Sequence, residues 1–381
     1  MSYEFRSVPR IVCEAGALHS VGSVLKGLGA QRVMLVCDPG IVNLGFAGKA
    51  QAALEAVGCA VTVLVPDPSS AVVKESAEQA RQFKADGVLG LGGGSSLDTA
   101  KLVALLINSE QPLEELYGTD KAQGQRVPLV LVPTTAGTGS EVTWVSVITD
   151  EQQRKQAVYS PQLMPDVAVL DPLLTLGLPA KVTAATGLDA MVHAIEAYTS
   201  CTRKNPIANG LATTALGLLG ANLRKVLANG QDVAARTAMQ QGSLMAGMAF
   251  VNASVAAIHG LAYPLGARFH IPHGHANALE MGPVLRFNLS AAQHQYAELA
   301  TYLLPGRHFE HEAEAAEAFV QAIEALVADS GLETRLSKLG VDEPALTEMA
   351  NSVVLNLRRL IDSNPKDMTE QDVEALYRSI F

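Results

Sequence analysis

The pattern of apolar and polar positions changes once along this chain, near residue 180. Before that point, short apolar runs alternate with longer stretches of helical periodicity. The runs that predict buried strands are 32–37, 61–65, 87–91 and 127–132. Strands that alternate with helices indicate a parallel sheet covered by helices on both faces.

Beyond residue 180, strand-like runs become rare and apolar residues recur at helical spacing. The predicted helices are 182–198, 208–227, 233–250, 312–328, 344–360 and 370–380. A chain of 381 residues is long enough to bury two separate cores. We therefore expect an α/β domain with a parallel sheet over 1–180 and an all-helical domain over 181–381.

The composition and charge of the chain exclude several classes of protein. Hydrophobic residues make up 48% of the chain and charged residues 17%, which excludes long disordered stretches. The net charge is −10 with no basic run, so neither nucleic acid nor an acidic membrane surface is expected as a partner. The N-terminus carries no apolar signal segment and the four cysteines show no CxxC spacing, which predicts a cytoplasmic protein.

One long stretch without charged residues, between Arg236 and Arg268, raises the question of a membrane span. It contains polar side chains and several glycines, among them Gln240, Asn252 and His259. These residues favour buried helices of a soluble protein, and no membrane contact is expected.

Three histidines and one carboxylate occur in otherwise apolar sequence. Asp189 and His193 are four residues apart, so a helix places them on one face. His259 lies in a predicted helix and His273 in the loop after it. Each residue alone is typical of a helix-surface pair, a core histidine or a turn. Together, one carboxylate and three imidazoles are a plausible set of ligands for a divalent transition metal.

A triple glycine, Gly92–Gly94, stands between a predicted strand and a predicted helix. Bare backbone N–H groups at a helix N-terminus favour a bound phosphate, and Ser95 adds a hydroxyl donor. Asp98 suits either helix capping or a hydrogen bond to a cofactor hydroxyl. The pattern is neither GxGxxG nor a Walker loop. A glycine-rich turn that only lets two elements pack closely is the alternative.

Two further polar segments follow predicted strands. Asp38 ends the first of these strands, where a carboxylate accepts a hydrogen bond from a ribose 2′-hydroxyl and repels a 2′-phosphate. It therefore favours NAD over NADP, although an Asp-Pro-Gly turn without a ligand fits equally. Thr134, Thr135 and Thr138 follow the strand at 127–132. Ligands of open α/β sheets bind outside the carboxyl ends of the strands, where these loops would meet.

Four stretches together resemble the iron-containing (group III) alcohol dehydrogenases. They are 92–101 (GGGSSLDTAK), 133–143 (PTTAGTGSEVT), 185–198 (ATGLDAMVHAIEAY), and 259–266 (HGLAYPLG) with 272–274 (PHG). They occur in the order of that family and span almost the whole chain. The resemblance implies a dehydroquinate-synthase-like fold, in which 1–180 is the dinucleotide-binding domain and 181–381 is the metal-binding catalytic domain. It also implies an assembly of two or more identical chains, most simply a homodimer.

The resemblance also implies roles for individual residues. The implied metal ligands are Asp189, His193, His259 and His273. The implied cofactor-binding residues are Asp38, Asp67, Gly93, Gly94, Ser95, Asp98, Thr134, Thr135, Thr138, Val147 and Lys155. Tyr263 stands where many relatives carry a histidine near the nicotinamide. It is counted with the catalytic residues, but a tyrosine pKa of about 10 puts proton relay in doubt. Phe250 is a candidate for the substrate wall.

The expected function is hydride transfer between NAD and a small alcohol or aldehyde, assisted by a divalent metal. Four protein ligands plus substrate require five or six coordination, which Fe²⁺ accepts more readily than Zn²⁺, so iron is expected and zinc stays possible. A lyase of the dehydroquinate-synthase type is one alternative. It needs several Lys and Arg groups, and Arg268 alone lies near the metal motifs. A catalytically silent NAD-binding protein is the other alternative.

Overall fold

A computed structural model describes residues 2–64, 69–152 and 154–381. The chain divides by its internal contacts into two units. One unit is Arg6–Leu176, and the other is Gly177–Phe381 together with the N-terminal segment up to Phe5.

The first unit contains nine strands and five α-helices among its described residues. The strands are β1 (Arg10–Cys13), β2 (Arg32–Val36), β3 (Ala60–Leu64), β4 (Gly87–Gly92), β5 (Gly118–Thr119), β6 (Leu129–Pro133), β7 (Val145–Thr149), β8 (Lys155–Tyr159) and β9 (Val167–Leu170). The helices are α1 (Val21–Gly27), α2 (Pro39–Asn43), α3 (Phe46–Glu55), α4 (Ser70–Phe83) and α5 (Gly94–Leu106).

Six of these strands form one parallel sheet in the order β1-β9-β6-β4-β2-β3. Successive side chains of a strand point to opposite faces. In β2, accordingly, Val33 and Leu35 join one apolar cluster, while Met34 and Val36 join another. Both faces of the sheet are therefore covered, which explains the continuous apolar runs in the sequence.

The strand order places β6, β4 and β2 side by side with their carboxyl ends at one edge. The segments after these three strands carry the polar residues predicted to bind a cofactor. A smaller three-stranded sheet, β5-β8-β7, includes the antiparallel pair β7 and β8. This antiparallel hairpin differs from the parallel arrangement predicted for the domain.

The second unit is helical throughout its described residues. Its helices are α6 (Ala180–Thr199), α7 (Pro206–Ala228), α8 (Val233–Asn252), α9 (Ala257–Phe269), α10 (His273–Asn288), α11 (Gln293–Leu303), α12 (Glu312–Asp329), α13 (Glu343–Asn356), α14 (Arg358–Asp362) and α15 (Glu370–Ser379). Helix α6 is almost entirely buried and packs against α7, α8 and α10.

Two predictions for this unit are wrong in detail. The helix predicted over 344–360 is interrupted at Leu357, whose backbone leaves helical values (φ −120°, ψ 23°). His273, predicted to lie in a loop, is the first residue of α10 and directly follows Pro272. The predicted fold class itself, a parallel α/β unit followed by a helical one, is confirmed.

No single helix of the described residues is both long and apolar enough to cross a bilayer. Helices α8 and α9 meet the length and hydropathy criteria only as a pair, and that pair is bent by 104°.

Candidate metal centre and cofactor loops

Helix α6 supplies two of the predicted metal ligands from one face. Asp189 and His193 are buried, at 1% and 4% exposure, because α6 is surrounded by other helices. Polar side chains buried this completely require partners to offset the loss of hydration. The next residue on the same face, three positions after His193, is the equally buried Glu196.

His259 on α9 and His273 on α10 complete the cluster. The Nε2 atoms of His259 and His193 are 3.1 Å apart, and His273 Nε2 is 3.6 Å from Asp189 Oδ1. Ligand atoms of Asp189, His193 and His259 all lie within 4.8 Å of one another. The structure therefore brings together all four residues that the sequence predicts as metal ligands.

A glycine permits the close approach of α10 to α6. A Cβ atom at Gly274 would collide with the carbonyl group of Ala185 and would lie 3.2 Å from the Cβ of Asp189. Any larger residue would have to push the two helices apart. His273, the neighbour of Gly274, is thereby held beside Asp189, although its own side chain remains 43% exposed.

The ligand atoms of this cluster are suited to binding a cation. Asn277, one turn after His273, directs its amide nitrogen at Asp189 Oδ1 (2.6 Å), His259 Nε2 (3.2 Å) and His273 Nε2 (3.3 Å). An N–H donor thus lies where three potential ligand atoms converge. Imidazole nitrogens and a carboxylate converging on one point are a donor set typical of Zn²⁺ or Fe²⁺.

The charges of the cluster support the same conclusion. Burial by itself raises the pKa of the Asp189 carboxyl, but the positive charges available on His193, His273 and His259 outweigh burial. The pKa of Asp189 is consequently held below its ordinary value. Asp189 is therefore an anion at neutral pH, and it contributes a negative charge to the point on which the imidazoles converge.

Two aromatic residues line the cluster. The Phe250 ring, at the end of α8, stacks on the ring of His193 with 4.3 Å between centroids. The Tyr263 ring is tilted against the ring of His273 at 5.9 Å. Both residues proposed from the sequence for the substrate wall and for catalysis therefore contact predicted metal ligands.

Two residues that are not among the predicted site residues also contact this cluster. One is Asn277, described above. The other is Glu196, which accepts a hydrogen bond from His259 Nδ1 at 2.7 Å. Helical spacing could have identified both residues from the sequence, since Glu196 follows His193 by three residues and Asn277 follows His273 by four.

The predicted cofactor loops also meet within their own unit. Asp38 follows β2 and accepts hydrogen bonds from Ile41 N at the start of α2 (3.1 Å) and from Ser96 Oγ (3.2 Å). Thr134 N donates to Gly92 O at 3.0 Å. The segments after β2, β4 and β6 are thus in direct contact at one edge of the sheet.

The glycine loop opens α5 as predicted. Helix α5 begins at Gly94 after Gly93, and no side chain caps its N-terminus. A Cβ atom at Gly94 would lie 2.9 Å from Thr138 Cγ2, and one at Gly93 would lie 3.8 Å from Thr135 Cγ2. Ser95 is exposed at the helix start. This bare helix N-terminus, bordered by threonines, fits the phosphates of a dinucleotide.

Asp98 is engaged by the protein itself. Its Oδ2 accepts from Val147 N at 2.8 Å, and its Oδ1 accepts from Ser140 Oγ at 2.6 Å. The buried Lys101 Nζ is 3.4 Å from Asp98 Oδ1. Asp98 therefore ties α5 to β7, so that Val147 is held beside the start of α5.

Two predicted cofactor residues are less closely involved. Lys155, the first residue of β8, is exposed and donates from Nζ to Thr149 Oγ1 at 2.9 Å. It therefore lies on the β7–β8 hairpin, as Val147 does. Asp67 falls outside the described residues.

Comparison with known proteins places the chain in a family. Two family profiles match: "Iron-containing alcohol dehydrogenase" over 9–172 and "Fe-containing alcohol dehydrogenase family, C-terminal" over 183–381. The long-chain-alcohol dehydrogenase 1 of Geobacillus thermodenitrificans is 39% identical over 372 residues, covering 96% of this chain and 93% of that protein.

Comparison with solved structures supports the same family assignment. The crystal structure of a 1,3-propanediol oxidoreductase superposes with a TM-score of 0.95 at 33% identity, over 100% of both chains. The sulfoacetaldehyde reductase from Bifidobacterium kashiwanohense, solved in complex with NAD⁺, has a TM-score of 0.90 at 28% identity, over 100% of this chain and 99% of that one. These comparisons support the predicted dehydrogenase over the lyase and the silent NAD-binding protein. The chain is an oxidoreductase that belongs to the iron-containing alcohol dehydrogenase family.

Proposed function

We propose that this protein interconverts small alcohols and their aldehydes, uses NAD in preference to NADP, and holds Fe²⁺ through Asp189, His193, His259 and His273. One observation carries the proposal: the ligand atoms of the buried Asp189, His193 and His259 lie within 4.8 Å of one another, and His273 Nε2 is 3.6 Å from Asp189 Oδ1. Apolar surroundings make such a group of donors costly without a cation to bind.

The bound cation would lower the pKa of an alcohol and polarise a carbonyl, while the nicotinamide carries the hydride. The residues of the chain supply the geometry for this chemistry. Burial of Asp189, His193 and His259 limits access of water to their donor atoms. The exposed side chain of His273 leaves one side of the cluster open for a substrate oxygen.

Iron is proposed over zinc because of the number of protein ligands. Catalytic zinc sites usually keep three protein ligands and one open position. Four ligands from this chain together with a substrate oxygen would bring the coordination number to five or more. Fe²⁺ accommodates that number more readily, and zinc remains a competitor for the same donors.

The preference for NAD is supported by Asp38. Its carboxylate lies beside Ser96 and the glycine loop, at the carboxyl end of β2. A carboxylate in that position would pair with a ribose 2′-hydroxyl and repel a 2′-phosphate. The relative solved with NAD⁺ has the same fold over the whole chain.

Small substrates are proposed because Phe250 lies flat on His193 and presents an apolar ring beside the cluster. Tyr263, against His273, offers a hydroxyl that can donate or accept a hydrogen bond to a substrate oxygen. The homodimer and the cytoplasmic location remain predictions from the sequence; light scattering of the purified protein would test the homodimer.

The test is a reconstitution experiment. Protein stripped of metal by a chelator is loaded anaerobically with Fe²⁺ or with Zn²⁺, and NADH formation is followed over a panel of short alcohols. We expect no turnover without metal, and higher turnover with iron than with zinc. Full activity in the presence of chelator would exclude the proposed metal role, and NAD binding without turnover of any alcohol or aldehyde would exclude the reaction.

A further inference from the structure

Glu196 is the fully enclosed carboxylate next to the candidate metal centre. It lies on α6, three residues after His193 and seven after Asp189, with 3% of its surface exposed. Helical spacing puts it on the same face as both residues. It is not among the four converging ligands, because its oxygens are engaged by the start of α9.

Three donors converge on the two oxygens of Glu196. Oε1 accepts from Ile258 N at 2.7 Å, and Oε2 accepts from Ala256 N at 2.8 Å and from His259 Nδ1 at 2.7 Å. Ala256 is the residue that precedes α9 and Ile258 lies in the first turn of that helix, whose N-terminus has no hydrogen bond from the side chain of its own N-cap residue. Unpaired N–H groups at a helix start need such an acceptor.

The hydrogen bond between Glu196 and His259 determines which nitrogen of the His259 ring carries the proton. A carboxylate can only accept, so the Nδ1 atom of His259 must carry the proton. In the neutral ring, Nε2 then has a free lone pair. That lone pair points towards His193 Nε2, 3.1 Å away, and towards the rest of the cluster.

We propose that Glu196 is a positioning residue of the metal centre, which fixes the tautomer and orientation of His259 and thereby raises the affinity of the site for a divalent cation. This inference rests on the proposed function, because it presupposes that the cluster binds a metal. Hydrogen bonds from a carboxylate to a ligating histidine orient the ring and increase its basicity.

Glu196→Gln is the most direct variant. Glutamine has the same shape, but it offers one accepting oxygen and one NH₂ donor to three N–H groups. If the amide oxygen takes the position of Oε2, Ile258 N loses its acceptor. If it takes the position of Oε1, Ala256 N loses its acceptor, and His259 must accept at Nδ1 and place its proton on Nε2. The second arrangement removes the lone pair that faces the cluster.

The measurement is cobalt(II) affinity of the metal-free full-length protein, by competition with a chromophoric chelator. We expect Glu196→Gln to raise the dissociation constant for cobalt about 10–100-fold. Tyr198→Phe is the matched control: Tyr198 is on the same helix, is buried, and donates to Glu298 at 2.6 Å. Its loss should leave cobalt affinity within about twofold, since Glu298 is not part of the cluster.

The variant Glu196→Asp distinguishes a positioning role of Glu196 from a role in packing alone. Aspartate keeps an all-accepting carboxylate but is shorter, whereas glutamine keeps the volume but not the acceptors. If Glu196 positions His259, the aspartate variant binds cobalt more tightly than the glutamine variant. If Glu196 only fills space, the order is reversed, and the inference is overturned.

A third measurement needs no variant at this position. Nitrogen–proton correlation spectra of the histidine rings in the metal-free wild-type protein should show His259 protonated at Nδ1. Protonation at Nε2 would overturn the inference even if the glutamine variant fails to fold.

A wild-type protein that binds no cobalt would instead reject the proposed function. Normal cobalt binding by both wild type and Glu196→Gln would reject the role of Glu196 alone.

Discussion

The two candidate sites of this protein are built from different parts of the chain. In the α/β unit, the cofactor loops consist of backbone N–H groups, glycines and short hydroxyl side chains at the ends of adjacent strands. In the helical unit, the metal cluster consists of one carboxylate and three imidazoles from three helices, and three of these four side chains are buried. The first site should be sensitive to added volume, and the second to the loss of a single donor.

The largest expected effect comes from removing a donor of the metal cluster. We expect Asp189→Ala and His259→Ala each to lower kcat/KM at least about 10³-fold, because several kcal/mol of charge stabilisation are lost. NADH binding should change by less than about twofold, since these residues lie in the other unit. Steady-state kinetics and fluorescence titration with NADH measure the two quantities.

His308→Ala is the matched control for the histidine variant, because His308 is exposed and lies outside the cluster. It should retain full activity. Equal losses of turnover and NADH affinity in Asp189→Ala would contradict the assignment of metal binding and cofactor binding to different residues.

Local patterns were sufficient to predict the parts of both sites that lie close together in sequence. The glycine loop follows from Gly92–Gly94 between a strand and a helix. The pair Asp189 and His193 follows from helical spacing on α6. In each case the spacing along one element already determines which groups share a face or a turn.

What could not be predicted depends on packing between elements. Asn277 joins the cluster only because Gly274 lets α10 approach α6, and this contact joins residues far apart in sequence. The role of His273 as the first residue of α10 also depends on where that helix begins. The β7–β8 hairpin was missed because its strands are only partly buried, so neither forms a continuous apolar run in the sequence.

A second prediction tests whether buried charges in the helical unit depend on their partners. Glu280 on α10 is fully buried, and neither of its carboxyl oxygens has a hydrogen-bond partner among the described residues. Burial raises its pKa from 4.5 to about 8. The folded state therefore prefers the protonated form, and stability is lost as the pH rises from 4.5 to about 8.

We therefore expect Glu280→Gln to match the wild type below pH 4.5 and to exceed its free energy of unfolding above pH 8. The difference should be several kcal/mol, since each pKa unit corresponds to about 1.4 kcal/mol. Urea unfolding across this pH range measures it. Glu110→Gln, at an exposed position, should show no such divergence. Parallel pH profiles for Glu280→Gln and the wild type would show that Glu280 is not held neutral.

A third prediction concerns volume at the glycine loop. Gly94→Ala should raise the dissociation constant for NADH roughly tenfold, because the new Cβ lies 2.9 Å from Thr138 Cγ2 and the start of α5 must shift. Metal affinity should be unchanged. Isothermal titration with NADH measures the effect.

A second substitution, at Thr138, would relieve this clash. Thr138→Ser removes the Cγ2 atom, so the double variant Gly94→Ala with Thr138→Ser should recover part of the lost affinity. Gly27→Ala is the control, since a Cβ there meets no atom within 4 Å. No recovery in the double variant would mean that Gly94 acts otherwise than by allowing Thr138 to approach.

The smallest expected effect is the change of cofactor preference at Asp38. Asp38→Asn removes the negative charge and keeps a side chain that can cap α2, as the carboxylate now does at Ile41 N. Less repulsion of a 2′-phosphate should raise the ratio of kcat/KM for NADP to that for NAD roughly fivefold, or about 1 kcal/mol. Asp342→Asn is the matched control, because Asp342 caps α13 through Ala345 N in the same way. An unchanged ratio in Asp38→Asn, with normal NAD turnover, would show that Asp38 serves the helix cap and does not select the cofactor.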